Sequence, residues 1–122
     1  MGNPRTLIQN SRKERRYLAL LRVKVHFEEP NASPALACTY EISRYGVRMA
    51  RIRGIENKAQ YVWLERGTRR AKYKVIWLGA RGSILEDQVG LELMDIDIVI
   101  WEESVCEKLA IIRRQVIPGP NL

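Results

Sequence analysis

The chain has 122 residues, 46% of them hydrophobic and 29% charged, which suits one small globular domain with a modest core and would not hold two comfortably. Its formal charge of +7 is unevenly spread: residues 1–82 hold eighteen Lys and Arg against six Asp and Glu, a net +12, and residues 83–122 hold three against eight, a net −5. A basic field of this kind concentrates polyanions, so phosphorylated small molecules, nucleic acids and acidic membranes are the partner classes it admits.

Residues 1–9 read as a mobile tail with no apolar secretion core, and no apolar run anywhere approaches a membrane span. A basic arm follows as Arg12-Lys13-Glu14-Arg15-Arg16, with Arg12 and Arg16 one helical turn apart. Guanidinium groups are planar, always charged and fork-shaped, so two held close together clamp phosphates bidentately and stack on purine faces.

From Ala19 to Phe27 the apolar residues Leu21, Val23, Val25 and Phe27 alternate with Arg22, Lys24 and His26, the period of a half-buried strand. Residues 29–34 form a turn. The next stretch also alternates, which predicts Leu36, Cys38, Tyr40 and Ile42 on the core face, with Ala37, Thr39, Glu41 and Ser43 turned away from it. A tight connection at Arg44-Tyr45-Gly46 leads to a strand over residues 47–52. Two more strands, near 60–65 and 70–78, flank the hairpin signal Arg66-Gly67-Thr68, and residues 88–94 give the last one after a longer loop. Six short strands at this spacing predict an all-β fold, a six-stranded antiparallel barrel over about 18–95.

The period then changes. Ile98, Trp101, Val105, Leu109, Ile112 and Val116 recur at steps of three and four, which predicts an amphipathic C-terminal helix over about 98–116. Asp95 or Asp97 suits its N-cap, Pro118-Gly119-Pro120 stops it, and residues 118–122 form a tail. Trp63, Trp77 and Trp101 are read as packing residues, and Cys38 and Cys106 as reduced thiols facing the core of a cytosolic protein.

About twenty-five residues beyond the arm lies Glu41-Ile42-Ser43-Arg44-Tyr45-Gly46, which offers a polar strand end, a hydroxyl and a glycine where a backbone turns sharply or a ligand comes close. The arm and this turn together resemble the PilZ domain family, whose signature is R-x-x-x-R followed by [D/N]-x-S-x-x-G. The run Tyr17 to Val25, Val75-Ile76-Trp77-Leu78-Gly79 and Val89-Gly90-Leu91-Glu92-Leu93 are similar to the family's strands, so the resemblance covers roughly residues 10–95 of one domain over 10–117.

The resemblance implies a cytoplasmic bacterial receptor for the second messenger cyclic di-GMP. Arg12 and Arg16 would clamp the phosphates and stack on guanine, with Ser43, the Gly46 backbone and Glu41 presenting polar groups from the barrel wall, and the flexible arm ordering over the barrel when ligand binds. Glu41 departs from the pattern, standing one methylene longer than the family's Asp or Asn. The other reading is therefore a degenerate PilZ-like module that has lost the nucleotide and binds a protein partner through the barrel or the helix.

Neither reading involves catalysis or metal. His26 is the one histidine, so no histidine pair and no nucleophile-base pair is apparent, and the acidic residues lack calcium-loop spacing. No zinc-finger, recognition-helix or aromatic RNP-type pattern points to specific nucleic-acid binding.

Overall fold

The structure, a computed structural model, describes residues 15–111. Among them the strands in chain order are β1 (Tyr17–Leu18), β2 (Arg22–Phe27), β3 (Ala35–Ile42), β4 (Gly46–Ala50), β5 (Tyr61–Arg66), β6 (Arg69–Leu78) and β7 (Gln88–Leu93), followed by one short helix, α1 (Glu103–Leu109). Every pairing is antiparallel. Going round the sheet, β2 is followed by β5, β6, β7, β4 and β3, and β3 pairs back onto β2. Six strands thus close into a barrel, which removes the free edges an open sheet would expose. The extra strand β1 lies on β3 beyond the end of β2, with Tyr17 opposite Ile42 and Leu18 opposite Glu41.

Alternation explains most of the core. Val23 and Val25 of β2, Val62 and Leu64 of β5, and Val89, Leu91 and Leu93 of β7 point inward, while Lys24 and Arg70 face water. Strand β3 departs from the expected parity: Ala37 and Thr39 are buried, and Leu36, placed in the core by its hydrophobicity, is 63% exposed. The cause is a bulge. Between Thr39 and Glu41 the register shifts, so that Tyr40 and Glu41 together oppose Arg48, which leaves both Thr39 and Ile42 inward. Cys38 accordingly sits half-buried on the outer face, whereas Cys106 is fully buried.

Thr39 is inside because of its hydroxyl. Where the chain leaves β1 and enters β2, Ala19 C=O and Leu21 N–H have no ladder partner. Thr39 Oγ1 donates to the first at 2.6 Å and accepts from the second at 3.0 Å. Thr39→Val keeps the shape and removes both bonds, so it is expected to cost about 2 kcal/mol, visible as a lower denaturant midpoint.

The segment after β7 closes the barrel end that carries the β5–β6 hairpin. Arg66 forks onto Glu102 at 3.0 and 2.8 Å, and Arg69 donates to Val99 C=O at 3.3 Å. Ile100, Trp101, Val105 and Leu109 are buried there. The helix starts later than its periodicity suggests, with Glu102 rather than Asp95 or Asp97 at the N-cap and no side-chain cap bond. Asp95 instead accepts from Asp97 N–H at 3.1 Å, which holds a turn and leaves Ile98 on the surface. Ala110 ends α1 in the left-handed region. Residues 112–116, where the stripe continues, lie outside the described residues.

Candidate ligand site

The β3–β4 connection is held by its own backbone. Ser43 N–H donates to Gly46 C=O at 2.9 Å, and Gly46 N–H donates to Ser43 Oγ at 3.1 Å. Ser43 is consequently 8% exposed, and its hydroxyl serves the turn, where the alternation placed it away from the core. Gly46 does not adopt a positive φ. Its lack of a side chain is explained by β7, since a Cβ there would stand 3.1 Å from Leu91 C=O.

The antiparallel register of β1 on β3 pairs Tyr17 with Ile42, so one step further back Arg16 comes level with Ser43. Its guanidinium is half-exposed and approaches Glu41 Oε1 at 3.8 Å. The structure therefore brings Arg16, Glu41, Ser43 and Gly46 to one patch of the outer wall. Arg12 lies outside the described residues.

Glu41 has a second cation that the sequence did not single out. Arg48 Nε stands 3.6 Å from the same carboxylate oxygen, its Nη1 donates to Gln88 Oε1 at 2.6 Å, and its guanidinium lies 5.9 Å from the Tyr40 ring centre. The bulge creates this arrangement by setting Tyr40 and Glu41 side by side against one arginine. Nothing in the linear pattern marks Arg48 among so many basic residues. The same turn carries Arg44, whose guanidinium lies over the Tyr45 ring at 5.4 Å and whose buried Nε has no hydrogen-bond partner among the described residues.

Both contacts to Glu41 are long and one-pronged. A partly exposed pair of this kind contributes at most about 1 kcal/mol, far below a bidentate arginine–carboxylate fork. The patch thus holds Arg16 and Arg48 loosely on one carboxylate that they share, with Glu92 of β7 across from Gly46 at its border, and a phosphate oxygen can compete for either guanidinium. Across the wall the row continues from Arg48 to Gly90 and then Trp77, whose indole covers the glycine.

Among the described residues no cluster of His, Cys, Asp or Glu is arranged to hold a metal ion, and no helix is long and apolar enough to cross a membrane.

No family model and no curated protein matches the sequence. Among solved structures the chain is similar to the Bacillus subtilis inhibitor of motility (MotI/DgrA), with a TM-score of 0.54 and 19% identity, covering 80% of this chain and 46% of that one. The chain thus spans less than half the length of that structure, and at this identity the likeness concerns the fold. That fold is PilZ-like: a closed six-stranded antiparallel barrel with one added strand and a short helix after it.

Proposed function

We propose that this chain is a receptor domain for cyclic di-GMP, with Arg12 and Arg16 as its phosphate clamp. The observation that carries the reading is the convergence of Arg16 with the distant turn that holds Glu41, Ser43 and Gly46, on one face of a PilZ-like barrel. A phosphodiester oxygen competes well for Arg16, because the carboxylate that holds it is shared with Arg48 and reaches neither at hydrogen-bond distance. Ligand binding then fixes the N-terminal arm on the wall, and that ordered arm is the output. The equilibrium moves as far as the ligand's preference for the ordered state allows; Arg16 already stands at the wall, so contacts from Arg12 supply the preference.

Titration calorimetry with cyclic di-GMP, beside GTP and cyclic GMP, tests this directly. Saturable heat with the cyclic dinucleotide alone supports it, and none with any of the three removes it. Glu41→Asn should hold or raise the affinity, since it removes the carboxylate that engages both Arg16 and Arg48. A marked loss would instead assign the longer side chain a contact of its own with the ligand.

A second reading, a PilZ-like interaction module without nucleotide, is favoured by the outer surface near the same site. Leu18 and Leu20 are 72% and 71% exposed, and Leu36 lies outward on β3. The described turns of α1 bury Val105, Cys106 and Leu109 and present polar residues to water, so β1 and β3 carry this reading rather than the helix. Failure to bind cyclic di-GMP, with intact folding, would favour it.

A further inference from the structure

Away from the arginine patch, the outer wall of β2, β5 and β6 has a composition that neither reading uses. Its outward positions form cross-strand rows. Lys24, Glu65 and Arg70 make one row, and His26, Trp63 and Lys72 the next. Tyr61 and Lys74 continue the pattern, so the two rings follow one another along the outer face of the middle strand with a cation across from each. With Arg22 at the start of β2, these three strands turn five Lys or Arg outward against one carboxylate, and on the next strand Glu92 stands across from Lys74.

That carboxylate is already engaged by its neighbours. His26 Nε2 lies 2.6 Å from Glu65 Oε1 and Arg70 Nη2 lies 3.5 Å from it; the hydrogen bond to His26 is the main cause holding the Glu65 carboxyl below its usual range. Lys72 Nζ sits over both rings, 4.3 Å from the centre of Tyr61 and 5.3 Å from that of Trp63.

We infer that this wall binds single-stranded nucleic acid without regard to sequence, through phosphate contacts from its lysines and base stacking on Tyr61 and Trp63. Single strands need this combination, a cationic surface with aromatic faces set into it. Lys72 belongs to the device. As it swings off the rings it exposes two stacking faces and gives its charge to a phosphate, and one surface cation–π contact is weaker than a base stack. An acidic peptide would use the charges and leave the rings idle. A lipid surface would select projecting apolar tips, whereas both rings are half-buried in the sheet. The inference is independent of the cyclic di-GMP site, which lies on β1, β3 and β4.

The test is fluorescence anisotropy of the full chain with a labelled single-stranded oligothymidine of about a dozen nucleotides. Binding should weaken with salt on a logarithmic slope of about −3, the value for roughly four phosphate contacts. Trp63→Leu, which keeps an apolar side chain in the sheet, should lower affinity about tenfold. Lys72→Gln with Lys74→Gln should flatten the salt slope by about 1.4. Circular dichroism identifies the folded variants, and Tyr61→Leu replaces Trp63→Leu if the latter unfolds. No anisotropy change at low salt overturns the proposal. So does unchanged affinity in a folded ring variant, which would mean diffuse charge attraction. Phosphatidylserine vesicles that bind the chain through the same rings while the oligonucleotide does not would also overturn it.

Discussion

Alanine at Arg16 is expected to weaken cyclic di-GMP binding by about ten- to a hundredfold, the loss of a charge-assisted contact to a phosphate. Arg53→Ala, an equal change of charge outside both motifs, should leave affinity nearly unchanged. The comparison separates a clamp from a field. If attraction were spread over a surface of net charge +7, the two variants would lose alike. Stability gives the second readout: Arg16 is half-exposed and its link to Glu41 is 3.8 Å long, so its removal should move the folding free energy by less than about 0.5 kcal/mol. A large fall in affinity without a fall in stability marks a ligand residue. Equal losses from both arginines in calorimetry, or a wild-type titration from Arg16→Ala, would remove Arg16 from the site.

The role of Glu41 follows from the same geometry. In a basic wall with Arg16 and Arg48 side by side, like charges repel, and one carboxylate between them relieves that without locking either. A shorter Asp or Asn at this position would stand farther from both guanidinium groups. Under the proposed function, the Asn variant measures how strongly this carboxylate competes with the ligand for Arg16.

Much of this architecture is legible in the linear pattern, for a definite reason. Strands β2 and β5 have one face on the core and one on water, so the alternation of Val23 and Val25 with Arg22 and Lys24 reports it directly. Strand β3 misleads because two local demands override polarity. Thr39 turns inward to satisfy the backbone where β1 gives way to β2, and the bulge at Tyr40 and Glu41 reverses the parity. Neither demand leaves a periodic trace. The helix is misplaced at its start for a similar reason, since Ile98 and Trp101 keep helical spacing while an aspartate turn occupies the chain between β7 and α1. At the candidate site, Arg16, Glu41, Ser43 and Gly46 could be named from their resemblance to the PilZ signature, but the internal bonds of Ser43 and Gly46 and the part played by Arg48 depend on strand pairing alone.

Gly90→Ala should be among the most damaging single changes in the barrel, by about 2–3 kcal/mol. A Cβ at this position would stand 2.0 Å from Nε1 of Trp77 and 2.4 Å from its Cε2. The backbone cannot yield, because Gly90 is paired with Arg48 on one side and Trp77 on the other. The indole must therefore leave the sheet surface, exposing apolar area it now shares with the strand. For a domain of this size each kcal/mol lowers the melting temperature by roughly 3–8 °C. The clash also predicts non-additivity: with Trp77→Ala already in place the added methyl no longer meets the indole, so the double variant should be more stable than the sum of the single losses implies. Gly90→Ala that melts with the wild type and keeps its tryptophan emission, or strict additivity in the cycle, would show that the indole does not lie on the glycine in solution.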